Sequence, residues 1–433
     1  MKTAKNFLFV ATRYIVDIIS SVFIGAWVAR YLGPGQFGLF SLALSIVSIV
    51  QGISSLGLKP ILLKEFTTTS KESNHIISLS IILSSLSGLI ALFVAVGIAY
   101  LVQPNNSLLL LIVFILGLQL PFTSTQPLEA FWEAKENNLP ILISSLTATL
   151  VACGLKIIVI TTNNGLTSLA IASLVGVLIN FTLLVAATKP MLKNILSIGF
   201  DNIFADSQRL VKASAPVIFS SLTLMVQARV DQVMLANMIS DNSVGIYTAA
   251  LKIPEGLAFV SISLSTAYYP RFTKKNDSSA TSEESSLILS EYYKYANISI
   301  SIGFLIAILI AITASYSVRI LYGEAYSESI PILVIMSLRL LLAHYGVVRG
   351  SYLLNNNILA FGSKTMLIGT FINIALNIVL IPLYEGVGAA IATVASLFVT
   401  CFALDLFYYK TRKNCLRLLQ ISNLFPSFVL PAK

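Results

Sequence analysis

The 433-residue sequence is poor in charge: Asp, Glu, Lys and Arg make up 11% of it, against about 25% in a soluble globular chain. So few ions cannot solvate a globular surface, which excludes a water-soluble fold. Metal-ligating and redox side chains are scarce as well, with three cysteines and two histidines. Cys153, Cys401 and Cys415 form no C-x-x-C pair, and His75 and His344 stand far apart. That argues against a metal site, a thiol-redox motif and a disulfide framework. No G-x-x-x-x-G-K-[ST] occurs, so the chain carries no ATP-driven motor. No metal and no cofactor is expected.

Long apolar runs fill the chain instead; 56% of residues are hydrophobic and the mean hydropathy is +0.85. A spanning helix takes about 20 apolar residues. Twelve such runs can be drawn, at 7-29, 37-57, 76-101, 108-128, 140-160, 166-187, 214-238, 244-268, 295-316, 329-353, 365-383 and 386-408. Turn residues separate them: LGPG at 32-35, QPNN at 103-106, TTNNG at 161-165 and SDNS at 240-243. Barrel strands would be half as long and would alternate, so the reading is an all-α polytopic membrane protein of twelve transmembrane helices. The start MKTAKNFLFVATRYIVDIIS opens like a signal peptide, but Arg13 and Asp17 interrupt its apolar region. It is read as a retained first span.

The cations set the orientation. Twenty Lys and Arg fall on the side of the N-terminus, while the opposite loops hold only Arg30 and Arg319. By the positive-inside rule both termini are cytoplasmic. The net charge of +9 is then a topology signal facing anionic membrane lipid, and needs no nucleic-acid partner.

A repeat is visible. FGLFSLALSI at 37-46 matches VGIYTAALKI at 244-253, with Gly38/Gly245, Ala43/Ala250, Leu44/Leu251 and Ile46/Ile253 identical. Each segment opens the second span of a six-span half. Because six is even, the halves insert in the same sense, which makes a central cavity between two six-helix bundles natural. The divisions are 1-187 and 214-408 for the bundles, 188-213 for a cytoplasmic linker and 409-433 for a basic cytoplasmic tail.

RYLGPGQFGLFSLALSIVSIVQGISSLGL at 30-58 resembles the start of the polysaccharide repeat-unit (O-antigen and capsule) flippases, the Wzx-like transporters of the multidrug/oligosaccharidyl-lipid/polysaccharide exporter superfamily. RVDQVMLANMISDNSVGIYTAALKIPEG at 229-256, LYGEAY at 321-326 and NIVLIPLYEGVGAAIATVAS at 377-396 are similar to further blocks of that family. The resemblance implies two six-helix bundles around a cavity. It also implies transfer of undecaprenyl-diphosphate-linked oligosaccharide from the cytoplasmic to the outer leaflet of the bacterial inner membrane. With that go a monomeric transport unit and, as partners, a polysaccharide polymerase and a chain-length regulator.

Six cations lie inside spans: Arg13, Lys156, Arg229, Lys252, Arg339 and Arg349. A central Arg or Lys costs ~2.5-3.5 kcal/mol on insertion scales, so each needs a partner, water or substrate. Lys156 is near a span end and can snorkel. The other five are the candidate diphosphate and sugar contacts, and Asp17, Asp231 and Glu255 are the candidate coupling or structural acids. Arg13 and Asp17 are four apart, on one helix face. Lys252 sits in LKIPEG, where Pro254 and Gly256 should kink the helix near the midplane. Arg339 lies ten residues into its span, where it either meets a partner from another helix, with Asp231 and Glu255 the candidates, or faces a wet cavity. Asp405, near a cytoplasmic end, is expected to reach the headgroups. Tyr14, Trp27, Tyr247, Tyr268 and Tyr269 are mostly assigned to interface belts.

Three classes compete. A flippase fits the family blocks and the cationic midplane. A cation-coupled exporter of drugs or another lipid-linked precursor has the same architecture but should carry more acids. A membrane polymerase or acyltransferase needs a long outer loop or a His/Asp constellation, and neither is present, so no enzyme activity is expected.

Overall fold

The computed structural model describes residues 2–68, 73–189, 203–272 and 282–419, and the regular structure among them is helical. The helices are α1 (Lys2–Ser54), α2 (Leu58–Thr68), α3 (Ser73–Val102), α4 (Ser107–Gly117), α5 (Thr125–Ala134), α6 (Leu139–Thr161), α7 (Gly165–Thr188), α8 (Ile203–Met238) and α9 (Asp241–Leu257). They continue with α10 (Phe259–Phe272), α11 (Ser282–Leu321), α12 (Ser329–Asn355), α13 (Leu359–Phe398), α14 (Leu404–Phe407) and α15 (Tyr409–Leu418). Among the described residues, nine helical segments are long and apolar enough to cross a bilayer. The chain is a multi-pass membrane protein.

Twelve crossings are compatible with these nine segments, because two of them break internally. In α1, Gly33 adopts φ 69°, ψ 170°, a conformation that side-chain-bearing residues avoid. Pro34 then restarts the helix with its φ already set. In α13 the break is at Glu385, with φ 48°, ψ −127°. Finally α9 and α10, each too short alone, follow one another across Ala258, whose N–H is shared by the carbonyls of Pro254 and Glu255. The interruption thus falls just past Pro254 and Gly256.

The turn sequences behave as their chemistry demands. Asn106 closes QPNN by accepting the Leu109 N–H at 3.0 Å, which caps α4. Between α6 and α7, Asn163 and Gly165 both take positive φ. The expected fourth span at 108-128 is less regular than its hydropathy implies: α4 ends at Gly117, a 3-10 turn covers Leu120–Ser124, and α5 continues to Ala134. Gly88 on α3 admits that turn, since a Cβ there would overlap the Leu120 carbonyl.

The chain forms two compact units, Met1–Gly245 and Ile246–Lys433. In the first, Leu58, Leu62, Ile76, Leu79, Ala130 and Leu210 make one core cluster, and Ile77, Leu128, Phe131, Trp132, Ile141 and Leu184 another. The second is held by an aromatic-rich core of Phe272, Tyr292, Tyr295, Tyr345 and Cys401, where Phe272 and Tyr295 stack at 5.2 Å. Of the expected linker at 188-213, residues 190–202 lie outside the described residues, as do 420–433 of the expected tail.

Within the first unit the two matching segments make a reciprocal contact. A Cβ on Gly38 would overlap the Asp241 carbonyl oxygen and stand 2.9 Å from the Gly245 nitrogen. A Cβ on Gly245 would overlap the Pro34 carbonyl oxygen and stand 3.1 Å from the Gly38 nitrogen. Pro34 and Asp241 are separated by the same 207 positions as Gly38 and Gly245. Each glycine therefore opens space for the other segment's backbone.

Candidate functional site

The first unit holds an ionic cluster built by α1, α2 and α5. Glu129 accepts from Arg13 Nη2 at 3.3 Å and from Lys59 Nζ at 2.9 Å, and Lys59 also reaches Glu133 at 2.9 Å. Glu129 and Glu133 share a face because they are four apart on α5. The expected Arg13–Asp17 pair is present but long, at 4.0 Å. Asp17 accepts its short hydrogen bond, 3.0 Å, from the Thr149 hydroxyl. A cavity of about 180 Å³ opens beside Arg13, Tyr14, Asp17, Lys59, Glu129 and Glu133. A second, of about 250 Å³, lies on Asp17 with Ser145, Thr149, Ser173 and Asn180. Arg13 keeps 30% of its side chain exposed, so its charge is only partly answered by protein.

Glu129, Glu133 and Lys59 are not among the candidates the sequence offers: a fourth span ending at 128 puts both glutamates in a loop, and Lys59 falls among the cytoplasmic cations. The available signal was E-x-x-x-E in EAFWEAKEN at 129-137, an acid pair at helical spacing next to an apolar run.

Asp231 and Gln232 on α8 are buried, and Gln232 accepts from the Ser45 hydroxyl. Arg229, two positions away, is half-buried.

In the second unit Glu255 is the partner of Arg339: Nη1 lies 3.8 Å from Oε1, and 22% of the arginine side chain is exposed. At that length the contact is an ion pair rather than a hydrogen bond. Lys252 is half-buried, one turn before Glu255 on α9. Tyr247, on the same helix, is fully buried rather than in an interface belt; its hydroxyl lies 3.5 Å from that of Thr393. On α13, Asn373 and Asn377 are buried, and Asn377 donates to Asn373 at 3.2 Å. These amides are one turn apart and drew no notice in the sequence because they carry no charge.

Arg349 is placed differently. Its Nε donates to both carboxylate oxygens of Asp405 at 3.0 and 2.9 Å, and Nη2 donates to Asp405 at 2.8 Å and to the Thr365 hydroxyl at 2.8 Å. Only 9% of the side chain is exposed. Asp405 is buried and does not reach the headgroups. The reason is position: a break at Val399–Ala403, where the helix widens to a π turn, aims Asp405 at α12 rather than outward.

Chemically, three of the in-span cations divide into one sealed by its carboxylate, Arg349, and two whose guanidinium remains accessible, Arg13 and Arg339. A carboxylate that holds a half-exposed Arg at 3.3–3.8 Å can be replaced by a phosphate oxygen, which makes the same forked, charge-assisted bonds.

Residues 3–276 match a family described as polysaccharide biosynthesis protein. The capsular polysaccharide biosynthesis protein CapF of Staphylococcus aureus is 23% identical over 406 residues, 93% of this chain and 98% of CapF. Among solved structures the chain is similar to the lipid II flippase MurJ in an inward closed conformation, with a TM-score of 0.71, 15% identity and coverage of 98% and 92%. It is also similar to an inward-facing multidrug resistance MATE transporter of the MOP superfamily, with a TM-score of 0.67, 14% identity and coverage of 95% and 96%.

Proposed function

Since the chain belongs to the polysaccharide biosynthesis protein family, we propose that it is the flippase of a surface polysaccharide pathway. Its substrate is an undecaprenyl-diphosphate-linked oligosaccharide repeat unit, carried from the cytoplasmic to the outer leaflet of the bacterial inner membrane with both termini in the cytoplasm. The observation that carries the reading is the state of the in-span cations. Arg13 and Arg339 are held by carboxylates at 3.3 and 3.8 Å while remaining 30% and 22% exposed. A diphosphate arriving from water needs donors of this kind, since its desolvation must be offset by charge-assisted bonds. Lys252, Arg339, Arg13 and Arg229 are the proposed contacts. Asp231, Glu255 and Asp17 hold them between substrates or couple transport to an ion. Arg349 is assigned to holding α12 against α13 and α14. A polymerase and a chain-length regulator would receive the product.

The test is complementation of a strain lacking its flippase, with membrane levels matched by immunoblot. Surface polysaccharide should return with the wild-type chain and fail with the Lys252→Ala, Arg339→Ala double variant. Full rescue by that double variant would remove the diphosphate clamp.

A second reading, a cation-coupled multidrug exporter, draws on the first unit's cluster, where Asp17, Glu129 and Glu133 outnumber Arg13 and Lys59. It requires that expression of the chain lower the accumulation of cationic dyes; unchanged accumulation alongside restored polysaccharide decides for the flippase.

A further inference from the structure

The chain leaves its last apolar segment at Phe407, turns through an extended Tyr408 (φ −98°, ψ 120°) and enters α15. Thr411, Asn414, Cys415 and Leu418 are buried, the i, i+3, i+4, i+7 stripe of a helix lying on a core. Specific bonds pin that face to the second unit. Thr411 donates to the Asp405 carbonyl at 2.9 Å, and Asn414 donates to the Tyr292 hydroxyl at 3.2 Å. From α12, the Tyr352 hydroxyl donates to the Lys410 carbonyl at 3.0 Å. The helix is thus a fixed part of this unit.

Its opposite face is exposed and of one sign. Lys410, Arg412, Lys413 and Arg417 all lie on it. Asp405 is the only acid from 386 to 433, and its carboxylate is committed to Arg349. Between the cations stand Tyr409, 74% exposed, and the exposed Leu416, while Phe407 at the junction is 89% exposed. Arg417 lies over the Tyr293 ring at 3.9 Å, which holds one cation at the rim of the face. Exposed aromatic and aliphatic side chains among cations, directly after a spanning segment, make the pattern of an interfacial helix.

We propose that the exposed face of α15 docks on anionic phospholipid headgroups of the leaflet at this end of the second unit. Phe407, Tyr409 and Leu416 enter the headgroup–acyl boundary, and Lys410, Arg412 and Lys413 meet the phosphates. A lipid surface fits better than a soluble anion because it alone covers the apolar and the cationic side chains together. Thr411 binds the backbone of the residue whose carboxylate clasps Arg349, so a docked α15 also steadies that pair. The inference does not depend on which substrate is transported.

The test is native mass spectrometry of the full chain released from nanodiscs of equal phosphatidylglycerol and phosphatidylcholine. The Lys410→Gln, Arg412→Gln, Lys413→Gln variant is compared with a control that neutralises the exposed Lys64, Lys135 and Lys364 in the same way. Wild type and control should retain phosphatidylglycerol with a preference of about fivefold or more, and the α15 variant should fall to within about twofold of parity. An equal loss in the control, or no loss in the α15 variant, overturns the proposal. Hydrogen exchange of the amides from 407 to 418 provides an independent measure: protection should rise about tenfold from neutral to anionic nanodiscs, and unchanged protection overturns docking. Added farnesyl diphosphate should leave the retained lipid unaltered. Its displacement of lipid at equimolar concentration would assign the face to a prenyl diphosphate instead.

Discussion

Arg339 and Arg349 stand ten positions apart on α12, about 15 Å at 1.5 Å per residue, and meet opposite fates. Arg349 is clasped by a bidentate carboxylate and a hydroxyl, and is buried. Arg339 has one carboxylate at 3.8 Å and remains accessible. The residue type and the helix are the same, so what separates them is the geometry of the acid that neighbouring elements bring. Asp405 comes from the end of a helix with a π turn before it, while Glu255 directly follows Pro254 in the last turn of α9. A membrane arginine clasped by a buried carboxylate is architecture. One held loosely next to accessible space is available to a ligand.

That contrast can be broken most violently at Asp405. Asp405→Ala leaves a buried guanidinium uncompensated and should cost about 3-5 kcal/mol, read as loss of protein from the membrane and a collapsed thermal transition in detergent. Replacing both members, as Arg349→Met with Asp405→Leu, should recover most of the stability; if the double variant is as unstable as the single, the pair is not the cause. Next in size is Glu129→Gln, which takes the negative charge from between Arg13 and Lys59 and leaves one acceptor oxygen for two donors; it should cost about 1.5-3 kcal/mol in a thermal shift assay. A silent Glu129→Gln would show that Glu129 holds Arg13 as loosely as Glu255 holds Arg339.

Arg339→Ala should lower transport about tenfold, equivalent to about 1.4 kcal/mol, while unfolding stays within about 1 kcal/mol of wild type, as expected of a partly exposed pair. A drop in stability matching that of Asp405→Ala would erase the distinction between the two arginines. Arg339→Lys should recover only part of the activity, because an ammonium cannot supply a planar fork. Smallest of all, Lys252→Arg should keep transport within about twofold, since charge rather than shape is required there. A loss as deep as that of Lys252→Ala would argue for a shaped pocket instead.

Local chemistry explains what was legible in the sequence. The turns at 32-35, 103-106 and 161-165 fall at a helix break or between helices, and that at 240-243 leads into the first turn of α9, because proline, glycine and asparagine act through their own backbone. Glu255 is legible as a candidate partner for Arg339, since few acids sit in spans at all. What escaped was set by contacts distant in sequence. Arg349 and Asp405 are separated by 56 positions, and no spacing rule joins them. Glu129 was lost because the 3-10 turn at Leu120–Ser124, allowed by Gly88 on another helix, makes the fourth span run further than its hydropathy suggests.

The Gly38–Gly245 contact has a bearing on how this chain can change. In a two-fold pairing of identical units, any contact from position i to j is matched by one from j to i. The glycine-to-carbonyl overlaps at 38/241 and 245/34 keep that reciprocity inside a single polypeptide. A side chain gained by either glycine collides with the facing segment's backbone. Neither position can therefore change without the other segment giving way, so each glycine holds a veto over substitution at the other.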